Sequence, residues 1–247
     1  MLEQFSRTQY LLGEEAMEAL AASRVAVFGL GGVGGFAVEA LARAGVGSMD
    51  VIDNDLISTS NLNRQIFALH STVGKKKTEV AKARILDINP ACEVQTHELF
   101  YLPQTAEKID LSEFDYIVDA VDTVSAKLHL IEKATGAGVP IISSMGTGNK
   151  LDATAFEVCD IFSTHSDALA RVIRKELKKR NISSLKVVCS SQKAIVPDSE
   201  KRRTLLEAEL TPDSSRRDIP GSVSFVPPVA GMILAGEVIK DLIRIKG

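Results

Sequence analysis

Short apolar runs alternate with helix-like patterns through the first 150 residues of the chain. Five runs have the length and the apolar character of buried strands, and they cover residues 25–29, 49–52, 94–97, 116–120 and 139–143. Three segments between them place apolar residues at helical spacing, and they cover residues 34–44, 74–89 and 125–135. This alternation predicts an α/β fold, a Rossmann-like doubly wound sheet that is parallel in its first half.

The pattern changes after Gly146, where the regular alternation of strands and helices ends. Residues 155–161 and 185–189 have strand character, and residues 168–180 between them have the pattern of a basic amphipathic helix. These elements predict a C-terminal extension that adds mixed or antiparallel strands to the sheet.

The last fifty residues combine a polar stretch with a strongly apolar one. Charge, Ser and Pro dominate residues 196–222, which predicts a mobile or poorly ordered loop. Residues 228–245 are apolar on one face, with Pro near the start, and predict a final core helix. A length of 247 residues fits a single domain, 1–247, with a core of residues 1–150 and a C-terminal part of residues 151–247.

Composition excludes several classes of protein. The chain is 45% hydrophobic and 25% charged, and it has no apolar run near the ~20 residues of a membrane span. Its first twenty residues carry acids within the apolar stretch and lack the features of a signal peptide, so we expect a cytoplasmic protein. Cys92, Cys159 and Cys189 lie far apart and form no CxxC pair, which predicts buried thiols rather than disulfides or a zinc site.

The net charge of −3 is unevenly distributed. Residues 165–217 contain 13 Lys and Arg against 7 Asp and Glu, a net charge of +6 that leaves −9 for the remaining chain. A concentrated basic segment is typical of a surface that binds a polyanion such as RNA, although a solvated helix face has the same composition.

A glycine-rich turn provides the first candidate binding site. The sequence Gly29-Leu30-Gly31-Gly32-Val33-Gly34 follows the first predicted strand and opens a helix, whose N-terminal amides can bind phosphate. Asp53 follows the second strand, where a carboxylate can accept hydrogen bonds from ribose hydroxyls. The combination predicts a nucleotide site without specifying the nucleotide.

Further charged residues favour ATP over a dinucleotide. A triphosphate needs cations, and the segment Asn61-Leu62-Asn63-Arg64-Gln65 and the cluster Lys75-Lys76-Lys77 follow the acidic loop, where Arg64 and Lys77 can supply them. Asp122 follows a strand at the edge where such folds bind ligands, and can hold Mg²⁺. Taken singly, the lysines can be solvated surface and Asp122 can cap the following helix, so the ordered set carries the prediction.

These motifs resemble a known family. GLGGVGG, DND with NLNRQ, VGKKKTEVAK and DAVDTVSAK closely resemble the adenylation domain of the ThiF/MoeB/HesA group of ubiquitin-activating-enzyme-like proteins, over roughly residues 5–150. In the second half, SSMGTGNKLD, THSDALARVIRKELKKR, LKVVCSSQ and GSVSFVPPVAG resemble the TcdA (CsdL) branch, the tRNA threonylcarbamoyladenosine dehydratases.

The resemblance implies an adenylating enzyme that uses ATP and Mg²⁺ to cyclise N6-threonylcarbamoyladenosine in tRNA through an acyl-adenylate. By the same resemblance Asp53 binds ribose, Arg64 and Lys77 contact the phosphates, and Asp122 holds the metal. Arg7 is expected to reach the nucleotide across a homodimer interface, and Gly146 to Asn149 to lie near the reacting carboxylate. Further nucleotide contacts are expected from Gly29, Gly31, Gly32, Gly34, Asp55 and Asn61.

Three different functions remain open from the sequence. An activator of sulfur-carrier or ubiquitin-like proteins shares the adenylation step and needs a protein partner, but many such enzymes hold zinc with CxxC pairs that this chain lacks. The second is a redox enzyme that binds NAD, and the third is a nucleotide-sensing, tRNA-binding module without turnover. The absent CxxC pairs also put covalent thioester chemistry in doubt.

Overall fold

The computed structural model of the protein describes residues 3–196, 198 and 220–244. Its helices are α1 (Ser6–Leu12), α2 (Glu14–Ala22), α3 (Gly34–Ala44), α4 (Lys77–Ile88), α5 (Val124–Ala137), α6 (Ala168–Lys179) and α7 (Val226–Leu242). Its strands are β1 (Arg24–Phe28), β2 (Ser48–Ile52), β3 (Glu93–His97), β4 (Tyr116–Asp119), β5 (Ile141–Ser144), β6 (Phe156–Asp160) and β7 (Lys186–Ser190).

The described strands form one sheet in the order β3-β2-β1-β4-β5-β7-β6. Neighbouring strands from β3 to β7 in this order are parallel, and only β6 pairs antiparallel, with β7. The prediction of a doubly wound sheet, parallel in its first half and extended by an antiparallel strand, is therefore confirmed.

Strands β1 and β4, at the centre of the sheet, are largely apolar because helices cover both faces of the sheet there. Along β1, Val25 and Val27 pack into the core beneath α3, α4 and α7, whereas Ala26 and Phe28 pack into the core beneath α5. Successive side chains of a strand point to opposite faces, so a strand buried on both faces is apolar at most of its positions.

Two predicted helix boundaries differ from the structure for backbone reasons. The helix predicted over 74–89 begins at Lys77, since Gly74 has a φ of +83° that no right-handed helix contains. The helix predicted over 228–245 begins at Val226 and ends at Leu242, with prolines in its first turn where no backbone N–H is needed. The first twenty residues, for which the sequence pattern predicted no element, contain α1 and most of α2.

Most of the predicted loop 196–222 lies outside the described residues, as do residues 245–247. Its last residues, Pro220 to Ser222, are described and lie beside the carboxyl edge of the sheet. No helix in the described part of the chain combines the length and apolar character that a membrane span requires.

Close packing of α7 on α3 fixes the helices that surround the glycine turn. A Cβ at Gly231 of α7 would lie 2.2 Å from the Val33 carbonyl oxygen, so only glycine lets α7 approach the start of α3. The carboxyl ends of the parallel strands meet at this edge, and the chain changes direction across the sheet between β1 and β4. Ligands of doubly wound folds bind at such a crossing point.

Candidate active site

A cavity of about 620 Å³ lies along the carboxyl edge of the sheet. Its wall includes residues that follow β2, β1, β4 and β5, the four strands on either side of the crossing point. Nine residues predicted from the sequence line it: Gly29, Gly31, Gly32, Asp53, Asp55, Asn61, Arg64, Lys77 and Asp122.

The positions of the turn require glycine for different structural reasons. Gly29 has a φ of +89°, and a Cβ there would lie 2.7 Å from the Ala120 carbonyl oxygen. A Cβ at Gly34 would lie only 1.8 Å from the Gly29 carbonyl oxygen, so Gly34 allows α3 to start against the end of β1. Gly34 is not part of the cavity wall, unlike Gly31 and Gly32, whose backbones border the open space.

Asp53 joins the end of β2 to the glycine turn. One carboxylate oxygen accepts a hydrogen bond from the Leu30 N–H at 2.7 Å, and the other accepts one from the Asp55 N–H at 2.8 Å. Burial raises the pKa of Asp53, an effect that the nearby Lys77 ammonium partly offsets. Asp53 therefore holds the glycine turn in place, a role that the sequence did not predict.

Only one lysine of the predicted cluster belongs to the cavity. Lys77, the first residue of α4, is 4% exposed, and its Nζ lies 2.7 Å from Asp55 Oδ2 and 3.6 Å from Asp53 Oδ1. Lys75 is exposed to solvent, and Lys76 pairs with Glu98 at the surface. The sequence had already selected Lys77 as the candidate cation of this cluster, and the structure places Lys77 in the cavity wall and its two neighbours outside it.

The segment after β2 forms a tight turn that brings Arg64 to the cavity. Asn61 shapes it, since its side-chain oxygen accepts a hydrogen bond from the Ser58 N–H and its carbonyl accepts one from the Arg64 N–H. Arg64 Nη1 donates to the Ser60 carbonyl at 2.9 Å. A guanidinium presented in this way can reach a phosphate within the cavity.

Asp122 lies on the opposite side of the crossing point, beyond β4, with an exposed side chain. The N-cap position of α5 is occupied by Thr123, whose hydroxyl donates to Asp122 Oδ1 at 3.3 Å. No group of three or more His, Cys, Asp or Glu that could hold a metal occurs among the described residues. Mg²⁺ bound with ATP usually takes one or two carboxylates and completes its shell with phosphate oxygens and water, so a single Asp122 fits this ion.

Arg7 lies away from the cavity of its own chain. It is exposed on α1, at the amino end of the described chain, and is not among the residues of the cavity wall. Its expected contact with a nucleotide is therefore one that a single copy of the chain does not make.

Several residues of the cavity wall were not predicted as site residues. They include Gln65, Phe100, Tyr101, Thr147, Gly148, Pro220 and Ser222. Gln65 belongs to a motif that the sequence had already distinguished, and Thr147 and Gly148 fall within the loop expected near the carboxylate. Phe100, Tyr101, Pro220 and Ser222 carry no local signal, because only the order of strands in the sheet brings their segments to the cavity.

A buried ion pair supports this edge from below. Lys127 of α5 and Asp119 of β4 are both fully buried and 2.7 Å apart. Lys127 Nζ also donates to Ser143 Oγ and to the Ser144 carbonyl, each at 3.0 Å. These bonds join the carboxyl ends of β4 and β5, the two strands from which Asp122 and the loop at Gly146 to Asn149 extend.

The three cysteines are buried or half-buried, and none lines the cavity. Burial raises the pKa of the Cys189 thiol to about 12 and that of Cys92 to about 11. A thiol with so high a pKa is a poor nucleophile at neutral pH, which agrees with the doubt about thioester chemistry.

The predicted basic helix corresponds to α6. Ala170, Ile173 and Leu177 form its buried face, and Arg171, Lys175 and Lys178 are exposed. Its N-cap, Asp167, accepts a hydrogen bond from the Ala170 N–H and pairs with the buried Lys150, whose Nζ donates to the Gly146 carbonyl. The helix therefore starts beside the loop that lines the cavity.

Comparison with known proteins assigns the family. The sequence matches the ThiF family over residues 5–246. This chain belongs to the ThiF family. It is 44% identical over 245 residues to the tRNA threonylcarbamoyladenosine dehydratase of Bacillus subtilis, a match that covers 99% of this chain and 96% of that protein.

Solved structures of an Escherichia coli protein share the fold. The Escherichia coli tRNA N6-threonylcarbamoyladenosine dehydratase TcdA in complex with ATP matches with a TM-score of 0.83 and 30% identity, over 98% of this chain and 94% of that one. The same protein in complex with AMP matches with a TM-score of 0.85, again with 30% identity over 98% of this chain and 94% of that one. The family assignment thus holds for the sequence and for the fold.

Proposed function

We propose that this protein is an ATP-dependent tRNA threonylcarbamoyladenosine dehydratase. It would adenylate the threonyl carboxylate of N6-threonylcarbamoyladenosine in tRNA and close that group to a ring. The observation that carries the proposal is the cavity in which Asp53, Arg64, Lys77 and Asp122 meet. Relatives that match nearly the whole chain bear this activity in their names, and one of them binds ATP and AMP.

ATP would lie across the glycine turn. The open backbone at Gly31 and Gly32 accommodates the phosphates at the start of α3, and Asp53 lies where the ribose hydroxyls would be. Asn61 and Asp55 border the same part of the cavity, together with Gly29. A cation at Lys77 and another at Arg64 would neutralise phosphate charge.

Asp122 would hold Mg²⁺ together with phosphate oxygens. A bound Mg²⁺ neutralises charge on the triphosphate and orients it. Arg64 and Lys77 would stabilise the negative charge that develops on pyrophosphate as it leaves.

The chemistry needs two steps because water is a poor leaving group from a carboxylate. In the first step the threonyl carboxylate attacks the α-phosphorus, the bond to the bridging oxygen breaks and pyrophosphate leaves. In the second, the ureido nitrogen or oxygen of the same nucleoside attacks the activated carbonyl, the bond to AMP breaks and AMP leaves, and a ureido N–H gives up its proton. Because both groups belong to one molecule, proximity can contribute up to ~7–11 kcal/mol, and no protein nucleophile is needed.

The same proposal includes the domain organisation, the cellular location, the homodimer and the surface that binds tRNA. The chain would act as one adenylation domain, 1–247, because the sheet of its first part continues through β7 and β6. It would work in the cytoplasm as a homodimer, with Arg7 of one copy at the nucleotide of the other. The tRNA backbone would follow the exposed cations of α6.

The alternative is adenylation of a sulfur-carrier or ubiquitin-like protein. It shares the same cavity and the same first step, and it would require a protein partner with a flexible C-terminal tail. The two functions are distinguished by which added substrate reacts with ATP, the modified tRNA or a protein with a Gly-Gly tail.

The deciding experiment incubates the protein with Mg·ATP and tRNA that carries threonylcarbamoyladenosine, then digests the RNA for mass spectrometry. Loss of one water from that nucleoside is expected for the wild type, with Asp122→Ala as the inactive control. An unchanged nucleoside, with pyrophosphate released only when a Gly-Gly-tailed protein is added, would support the alternative and refute the dehydratase.

A further inference from the structure

Asn149 occupies an unusual position at the end of the loop that follows β5. Its φ of +57° lies in the left-handed region, which Asn tolerates better than most residues. Its N–H donates to the Gly221 carbonyl, and its Oδ1 accepts from the Gly221 N–H, both at 2.7 Å. Its carbonyl accepts a further hydrogen bond from the Ile195 N–H at 2.7 Å. One residue therefore binds two segments that are distant in the sequence.

The segment that Asn149 holds forms part of the cavity wall. Pro220 and Ser222, on either side of Gly221, both line the cavity. A Cβ at Gly148 would lie 2.7 Å from Pro220 Cβ, so the two segments are in close contact. Asn63 Nδ2 donates to the Ser222 carbonyl at 3.1 Å and attaches the segment to the turn that carries Arg64.

This wall lies at the end of the cavity away from the expected ribose. Asp53 follows β2, and the loop with Thr147 and Gly148 follows β5, with β1 and β4 between them. Strands about 4.8 Å apart place these two ends roughly 14 Å from each other. With the ribose at Asp53 and the phosphates over the glycine turn, the β5 end remains for the group that attacks the α-phosphorus.

We propose that Asn149 is a positioning residue for the acyl-substrate end of the cavity. It fixes Pro220 and Ser222 against Thr147 and Gly148, and these four residues receive the threonyl group rather than ATP. The inference rests on the proposed function and adds the part of the site that selects the acyl substrate. The hydroxyl groups of Thr147 and Ser222 suit a group that carries a carboxylate and a hydroxyl.

The test separates tRNA from ATP in steady-state kinetics. Asn149→Gly keeps the left-handed backbone accessible and removes the acceptor of the Gly221 N–H. Losing one such hydrogen bond should lower kcat/KM for the modified tRNA about tenfold. KM and Kd for ATP should stay within about twofold of wild type, because Asn149 is distant from the nucleotide end.

A second variant reaches the same contact from the other side. Gly148→Ala places a methyl group against Pro220 and should lower kcat/KM for tRNA in the same way without altering ATP affinity. Gly148→Ala replaces Asn149→Gly in the test if the melting temperature of Asn149→Gly is far below that of the wild type. Asn181→Gly is the matched control, since Asn181 has the same φ of +57° beyond the far end of α6 and should leave both substrates unaffected.

Two results would overturn the positioning role. One is unchanged kinetics for tRNA in both variants, and the other is an equal loss of affinity for ATP and tRNA. Wild-type protein that leaves the nucleoside unchanged would instead refute the proposed function itself, so the two failures are distinguishable.

Discussion

Lys77 differs from the two lysines before it in burial and in partners. Its ammonium lies between Asp53 and Asp55 inside the cavity, whereas Lys76 pairs with Glu98 in contact with water. A cation held in a water-poor cavity acts on a phosphate far more strongly than one that is screened by solvent. We therefore expect a functional role for the buried Lys77 and none for Lys76, which lies in contact with solvent.

Lys77→Met should lower kcat/KM for ATP by about 10²-fold, because a charge aimed at the departing pyrophosphate is lost. Lys76→Met, the matched control, should change it by less than about twofold. Steady-state rates of AMP formation measure both. Equal losses in the two variants would show that general surface charge, and not the buried ammonium, is what ATP uses.

The first three parallel strands are joined by a buried carboxylate. Asp50 of β2 is fully buried, with Arg24 Nε of β1 at 2.8 Å and His97 Nε2 of β3 at 2.7 Å from its oxygens. Burial acts to raise the pKa of Asp50, but the hydrogen bonds from His97 and Arg24 outweigh it and hold this pKa below its usual value. The ion pair thus fixes strand order where the apolar pattern alone allows other pairings.

A lowered pKa makes the contribution of Asp50 depend on pH in a defined direction. The stabilisation is present above the pKa of the unfolded chain and is lost as pH falls through the lower pKa of the folded protein. Asp50→Asn should cost about 2–3 kcal/mol of unfolding free energy at pH 7. The difference in unfolding free energy between Asp50→Asn and the wild type should become smaller below about pH 4, where the carboxyl group begins to be protonated in the unfolded chain.

Urea unfolding of both proteins at pH 7 and at about pH 3 measures that difference. A gap of the same size at both pH values would mean that Asp50 acts through its shape and hydrogen bonds and not through its charge.

The exposed cations of α6 differ from its other basic residues. Arg174 donates to the Thr164 carbonyl and hydroxyl, and Arg180, just after the helix, pairs with Glu176, so these two side chains hold the local structure. Arg171, Lys175 and Lys178 lie one helical turn apart on one face and are exposed. Lys179 is also exposed but pairs with Glu176 at 2.6 Å, so we select Arg171, Lys175 and Lys178 as the cations to test against a polyanion.

Changing all three to Glu should weaken tRNA binding and reduce the slope of log affinity against log salt by about two to three. The matched variant with three Gln residues removes the charges without reversing them and should have an intermediate affinity. Filter binding over a range of salt concentrations measures both, and ATP affinity should not change. Wild-type binding by the Glu variant would exclude α6 as the tRNA surface.

At the scale of the whole molecule, the exposed side chains of α1 have no explanation in a single copy of the chain. Arg7 lies outside the cavity of its own chain, and the neighbouring Tyr10 and Leu11 are 94% and 81% exposed. Large apolar side chains exposed next to a cation expected at a nucleotide are what a subunit interface would cover. A homodimer that exchanges Arg7 between its cavities accounts for both features.

Mixing two inactive variants tests this exchange. Arg7→Ala and Asp122→Ala should each be inactive alone. In an equal mixture that has been dissociated and reassembled, half of the dimers are mixed, and each of these contains one intact site. Activity should therefore return to about a quarter of the wild-type value. No recovery in proven mixed dimers would place Arg7 in the site of its own chain or outside any site.

The sequence by itself determined the strand, glycine turn and helix around Gly29, and it selected Asp53, Arg64, Lys77 and Asp122, which the structure brings to one cavity. It could do so because these features depend on local spacing. A strand buried on both faces needs a continuous apolar run, and a phosphate-binding turn needs glycine within a few residues of a helix start. The antiparallel pairing of β6 was likewise predictable as part of a C-terminal extension.

Tertiary structure alone decided which lysine is buried, that Asp53 supports the glycine turn, and that the segment at Gly221 meets the loop at Asn149. These contacts join residues that are distant in the sequence, 23 positions for Leu30 and Asp53 and 72 for Asn149 and Gly221. Their proximity follows from the order of strands in the sheet and from the packing of α7 on α3. Neither leaves a periodic signal in a single sequence, because each depends on which distant surfaces exclude water from one another.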